Sequence, residues 1–368
     1  MKRLKVALFV KFNKKIEHPL YRFCLELFSI IPKRCVNLST NKIECAELPA
    51  SGHYTIVNRG VSSISFKSRN LNPALKIPSA IKFEYISPKE VNSKIASFDD
   101  QTVISGTDLQ FSISDLTNMK EKFQISFAPA SRIVALLINP KSKPFDNPKC
   151  RLFFANAFRK TFASIVNNEL RAEASLSTDI LPGYLNNHDL EASATLNEKE
   201  IEECRAELSK NAVKWLKAQS HAESIFVKVM ERGFGQMGVP NSTPKESKDL
   251  SVAGNFFAKD EISVVSFQSG FWALDPEGDI QMLFTPGFAQ ALEFVTSDEK
   301  MLSLVRALKT SSDKPASFAQ LNRYMYTDAK FNVYAHARRF FAAKDRSMIA
   351  EAPNSITAPA PWQVFMGK

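Results

Sequence analysis

The sequence predicts an α/β protein, and three observations carry that prediction. Residues 133–138 form an unbroken run of β-favouring apolar side chains, closed by polar and Pro punctuation at 139–144, which is the pattern of a strand buried on both faces. Asn147 followed by Pro148 marks a helix start, since the amide can cap orphan N–H groups and Pro loses nothing at the first helical position. From Leu152 onward, Phe154, Phe158, Phe162 and Ile165 recur at helical spacing, with Arg151 and Arg159 flanking the stripe. A buried strand feeding an amphipathic helix is the repeating unit of an α/β layer.

The 368 residues are enough for two regions with substantial cores, and 44% hydrophobic with 23% charged residues is a globular composition. The net charge of +10 is spread along the chain. Outside the first fifteen residues there is no dense basic cluster or nucleic-acid module, so a nucleic-acid partner is not expected. The five cysteines form no CxxC pair. Cys150 and Cys204 fall on apolar helix faces, where free thiols acting as core filling are expected, and the odd count leans towards a reducing compartment. No apolar run approaches the ~18 residues of a transmembrane helix. The start MKRLKVALFVKF has an apolar core too short for a signal peptide, broken by Lys11, so the expectation is of no signal peptide in this chain.

Taken in order, residues 4–12 read as a strand and 19–31 as a short helix stopped at Pro32. Two strands follow around a turn at Asn58, Arg59 and Gly60, then a strand in which Ile81, Phe83 and Tyr85 alternate, a helix-like stretch, and a strand at 103–106. After the organising helix, a Pro/Gly turn at 181–184 leads into an amphipathic helix over 198–219, with Ile201, Cys204, Leu208 and Trp215 on one side. Ser220 and Glu223 fit a capping box for a helix carrying Ile225, Val229 and Met230 to Gly233. Residues 241–251 read as a polar loop, 262–267 and 279–284 as strands, 287–295 and 298–309 as helices, and the chain from Pro353 as an extended Pro-rich tail.

Motifs for chemistry fail in their contexts. Residues 233–238, GFGQMG, match G-x-G-x-x-G, but a helix is predicted before them and a loop after, the reverse of what dinucleotide binding requires. The five histidines are scattered, Ser39 to Lys42 matches S-x-x-K without its partner motifs, and no G-x-S-x-G occurs. The expectation is a protein that is not an enzyme, with no metal and no cofactor.

The stretch from Arg132 resembles a segment of the family 5 solute-binding proteins, the peptide and nickel receptors of ABC importers. Arg132, a strand ending in Asn139, the Pro144-Phe145-Asp146 turn, and Arg151 and Arg159 on the following helix carry the likeness. Asn147 stands where the family has a second Asp, Phe153 where it has Ala, and Phe158 where it has an acid. Gly52 and Tyr54 match a further family signature, as do Arg69 and Asn70. The resemblance implies an α/β, two-lobed, type II periplasmic-binding-protein-like fold, with the first lobe incomplete because Met1 falls well into the family's chain. Lobe I would be 1–131, lobe II 132–325, and 326–368 the return to lobe I.

The same resemblance implies a solute-binding, peptide-class component of an ABC import system, periplasmic or extracytoplasmic, that holds a small solute or peptide between lobes. It implies an ABC permease as partner and a monomer without a transmembrane segment. Arg132, Asn139, Phe267, Trp272, Thr285 and Phe288 are the candidate ligand contacts. In peptide receptors an acid beyond the strand corresponding to 279–284 pairs with the peptide's amino group, and the loop at Thr285, Pro286, Gly287 and Phe288 holds none. A more apolar or acidic ligand, or none, is the expectation. The alternatives are a cytoplasmic ligand sensor built on the same fold, which the absent signal and odd cysteine favour, and a relic that binds nothing.

Overall fold

The computed structural model describes residues 54–69, 78–165, 196–218, 225–232, 242–248, 252–270, 276–285 and 292–345, with short breaks inside them and a few residues between. The expected strand at 4–12, helix at 19–31, turn at 181–184, capping box at 220–223 and Pro-rich tail lie outside the described residues.

In chain order the elements are β1 (Val36–Asn37), β2 (Lys42–Ile43), β3 (Tyr54–Arg59), β4 (Ser63–Ser68), β5 (Ala80–Glu84), α1 (Pro88–Lys94), β6 (Val103–Thr107), α2 (Ile113–Lys122) and β7 (Gln124–Ile138). There follow α3 (Pro148–Ile165), β8 (Ser175–Leu176), α4 (Glu198–Lys210), β9 (Val213–Ala218), α5 (Ile225–Arg232), β10 (Ser242–Ser247), α6 (Ala253–Ala258) and β11 (Val264–Gly270). The chain closes with α7 (Pro276–Leu283), α8 (Glu293–Thr296), α9 (Glu299–Thr310), α10 (Lys314–Asp328) and β12 (Phe331–Ala343). The main sheet runs β10-β9-β11-β7-β12-β6, with β8 also on β12, and β3-β4-β5 make a separate antiparallel sheet.

The apolar run at 133–138 is the buried strand its composition demands. Alternate side chains point to opposite faces. Val134, Leu136 and Ile138 meet Phe154, Phe158 and Phe162 of α3, Leu208 of α4 and Val229 of α5. Ile133, Ala135 and Leu137 meet Phe257, Ile280, Met301, Val305 and Leu321 from the helices of the other face. The strand is longer than its apolar core, and it pairs with β12 from Phe331 opposite Leu137 to Ala343 opposite Gln124. This two-stranded ribbon leaves the helix-sandwiched end and reaches a third cluster, where Phe340 and Ala342 pack with Val91, Met119 and Phe123.

Helix α3 starts where the sequence places it. The Asn147 Oδ1 accepts from the Lys149 N–H at 3.0 Å. The strands around Gly60, the strand containing Ile81 and Phe83, and helices α5 and α9 also match expectation.

Four expectations are corrected. Residues 198–219 are not one helix: Asn211 caps α4 through its N–H to the Glu207 carbonyl, and the following Val213, Trp215 and Ala218 turn inward from a parallel strand. Residues 242–247 are strand rather than loop, and their polar composition suits a sheet edge, where charge and Pro244 discourage further pairing. The segment 279–284 is helix rather than strand. Pro276 enters at its first turn, Glu277 and Asp279 complement its dipole, and Ile280, Leu283 and Phe284 share one buried face at i, i+3, i+4 spacing. Cys150 and Cys204 are not free thiols. They form a disulfide between α3 and α4 with Cα atoms 5.0 Å apart.

Candidate functional site

Midway along the β7–β12 ribbon the sheet changes partners. On one side β11 stops at Gly270, opposite Arg132. On the other, β6 begins its pairing with Thr107 opposite Arg339. The ladder between β7 and β12 is itself irregular here, with register shifts at Ala337/Arg338 and Arg338/Phe340. Each strand also ends its apolar run at this point, β7 at Arg132 and β12 at Arg338 and Arg339.

Three of the eight buried side-chain polar atoms without a hydrogen bond among the described residues lie on the strands of this junction, the others including Trp215 Nε1 and Arg159 Nη1. Among the described residues, Arg132 Nε, Gln268 Oε1 and Thr107 Oγ1 are buried without a hydrogen bond. Such atoms normally find partners, because leaving one unmet costs about 1–3 kcal/mol. Arg132 is pushed below the ordinary arginine range, first by burial and then by the charge of Arg339. A guanidinium stays protonated in proteins, so this adverse setting is an energetic cost rather than a neutral arginine. Nearby, the Arg338 guanidinium lies 4.4 Å from the centre of the Phe127 ring. Lys120 is lowered by burial and by Arg338. The middle of the ribbon is therefore cationic.

One face of this junction opens into a small cavity lined by Val134, Phe162, Phe226, Ser266, Gln268 and Tyr334. The Ser266 and Tyr334 hydroxyls are 2.9 Å apart, and burial pushes the Tyr334 phenol well above its usual range. The cavity of about 20 Å³ accommodates a water but no solute.

No protein-family profile matches the chain, and no curated protein sequence does. Solved structures do match. DppA from Helicobacter pylori, an ABC transporter-associated periplasmic binding protein in complex with the peptide STSA, has a TM-score of 0.68 at 12% identity, over 94% of this chain and 69% of its own. NikA from Brucella suis in complex with Fe(III)-EDTA gives 0.65 at 11%, over 90% and 71%. NikZ from Campylobacter jejuni in complex with Ni(L-His) gives 0.65 at 14%, over 89% and 70%. The fold is that of the family 5 solute-binding proteins.

Of the six sequence-predicted contacts, the four that lie on described residues do not converge. Arg132 stands at the junction. Asn139 closes the other end of β7, roughly 23 Å away at ordinary strand rise. Its side chain donates to the Phe257 carbonyl at 3.3 Å and accepts from the Lys141 N–H at 3.0 Å, holding the turn after the strand. Phe267 sits opposite Ala135 and meets Phe331 on the face away from Arg132. Thr285 follows α7, exposed, with its hydroxyl donating to the Gln281 carbonyl. Trp272 and Phe288 lie outside the described residues. Sequence reasoning missed Gln268, Thr107 and Arg339. The adjacent Arg338 and Arg339 inside the apolar stretch FNVYAHARRFFAA were a visible signal, whereas Gln268 and Thr107 become notable only through register. GFGQMG follows helix α5 and precedes strand β10, the reverse of a dinucleotide-binding order.

Proposed function

We propose that the protein is the solute-binding component of an ABC import system and closes over its ligand about the middle of the β7–β12 ribbon. The observation that carries this reading is Arg132, a half-buried side chain whose buried Nε has no hydrogen-bond partner among the described residues, where the sheet changes partners. A solute supplies the missing acceptor. The fold shared with peptide- and nickel-complex-binding proteins supports the reading, as does the irregular ladder at Ala337/Arg338, which gives the ribbon a place to bend. On this reading residues 1–131 and 326–368 contribute to one lobe and 132–325 to the other, the protein acts as a monomer with an ABC permease as partner, and its work is binding rather than catalysis. The Cys150–Cys204 disulfide supports an extracytoplasmic location, since such bonds persist in oxidising compartments.

The test is thermal unfolding of the full chain against peptides, nickel–histidine, organic acids and sugars. A ligand at 100 times its Kd adds about 2.7 kcal/mol of stability and raises Tm by several degrees. A Tm unmoved by every class at millimolar concentration overturns the proposal.

A further inference from the structure

We propose that two copies of the chain pair through the free edge of β5, so that their β3-β4-β5 sheets join into one continuous sheet. This goes beyond the solute-binding reading and leaves its unit intact, since each copy still closes over its own solute and the pair is a reversible state of chains not engaged with a permease. Strand β5 is two-faced. Ile81 and Phe83 stand opposite Phe66 and Ile64 of β4, and the Phe66 and Phe83 rings meet edge to face at 5.7 Å. Lys82 and Glu84 lie on the other face and form an exposed ion pair at 2.6 Å. Among the described residues β5 pairs only with β4, so its far side is an edge. Beside that edge Phe83 is 44% and Tyr85 66% exposed, which sets large apolar surface next to unpaired backbone groups.

The ladder with β4 determines which backbone groups point outward. The Tyr85 N–H donates to the Ser62 carbonyl, and the Ser68 N–H donates to the Ser79 carbonyl. Ser79, Ile81, Phe83 and Tyr85 therefore aim their N–H and C=O groups at β4, while Ala80, Lys82 and Glu84 aim theirs at the edge. An antiparallel partner strand has to match these outward residues with outward residues of its own. A second β5 does so about a two-fold axis, and charge selects the register. Lys82 opposite the partner's Lys82 sets like charges against each other. A shift that places Lys82 opposite the partner's Glu84 brings opposite charges together on both sides of the axis. Phe83 then faces the partner's Phe83 as a closely spaced non-hydrogen-bonded pair, and Ile81 faces the partner's Tyr85. A lone lysine guards an edge against pairing, but Glu84 cancels that guard for a second copy of this strand. The contact is smaller than the ~1,200 Å² of a standing complex, so the pair is weak, with a Kd of about 10–100 μM.

Sedimentation velocity of the full chain from about 1 to 300 μM reads the pairing as a sedimentation coefficient that rises with concentration. Lys82→Glu and Glu84→Lys each weaken it by about tenfold or more, and their Tm stays near the parent's because the exposed ion pair adds little to the fold. An equimolar mixture of the two variants associates again, since each strand then meets the opposite charge at both contacts. Under mild oxidation Phe83→Cys gives a covalent dimer above the parent's background, because it brings two thiols together at the axis, and Lys82→Cys does not. A chain that stays monomeric throughout the range overturns the inference, as does a mixture no more associated than its components. Equal cross-linking of Phe83→Cys and Lys82→Cys overturns it as well. A monomer in which the Phe83→Cys thiol resists a maleimide overturns it in favour of a segment of the same chain covering this edge. None of these outcomes bears on the Tm response to solutes, which tests the other reading.

Discussion

Two arginines, both drawn away from water, show how differently one sheet treats the same side chain. Arg151, in the first turn of α3, reaches the carboxylate and carbonyl of Asp328 and the carbonyl of Phe145. Asp328 in turn faces Lys330 at 3.4 Å, and Lys330 meets Asp298, which caps α9 and takes the Tyr324 hydroxyl. Every charge in that chain of contacts has an opposite neighbour. Arg132, on the same sheet, has an arginine for a neighbour and a nitrogen with no acceptor. The first arrangement is complete and binds the helical end to itself. The second is incomplete, and it is there that we propose the solute binds.

The sharpest way to break this contrast is to delete each arginine and follow urea unfolding. Arg151→Ala takes from Asp328 one of its two cationic partners and leaves the Asp328 and Phe145 carbonyls without that donor, which costs about 2–4 kcal/mol. Arg132→Gln removes a charge that has no ion-pair partner among the described residues, so it leaves stability unchanged within about 0.5 kcal/mol or raises it. Equal losses at the two positions would abolish the distinction. A second measurement concerns the staple on the complete side. Reduction, or Cys150→Ser, costs about 2–4 kcal/mol of unfolding free energy, because the bond closes a 54-residue separation that the unfolded chain then explores. Denaturation curves with and without reductant read it directly, and superimposable curves would mean that the bond is absent or idle.

The smallest effect is in pH. Burial alone would raise Asp298, but hydrogen bonds from Lys330, the Met301 N–H and Tyr324 outweigh it and hold the carboxyl below its usual range. Its contribution is therefore full above the unfolded carboxylate pKa of about 4 and disappears as pH falls through the lower folded value. Asp298→Asn flattens that acid limb of the stability profile, leaves the neutral region alone, and softens the alkaline limb, because the Asp298 carboxylate helps hold the Tyr324 phenol above its usual range. An unchanged acid limb would mean that other carboxyls govern it.

Local patterns made the helical end of the fold readable. The 133–138 run, the Asn147–Pro148 start and the Phe stripe each state their structure within a few residues. The errors fell where two periods agree. Ile280, Met282 and Phe284 alternate as a strand would, yet Ile280, Leu283 and Phe284 also match a helix, and Pro276 with its following acids decides for the helix. Strand β10 is nearly all polar because it is an edge, so its composition resembles a loop. The Cys150–Cys204 pair depends on two helices meeting, which spacing alone does not reveal. The candidate site divides in the same way. Arg132 was marked by its place before the apolar run, but Gln268, Thr107 and Arg339 join it only through strand register that no local motif encodes.

The position of β12 also governs how this chain can be assembled. It is the last described strand to leave the ribosome, yet it takes a central place between β7 and β6. Until it arrives, β6 has no neighbour in the main sheet, the outer edge of β7 stays open, and Phe331, Val333 and Phe340 are missing from the packed clusters. Pairings of such long sequence separation form slowly, after a large loss of chain entropy. A chain that still lacks β12 therefore holds its main sheet open, and the sheet is sealed only when that strand arrives.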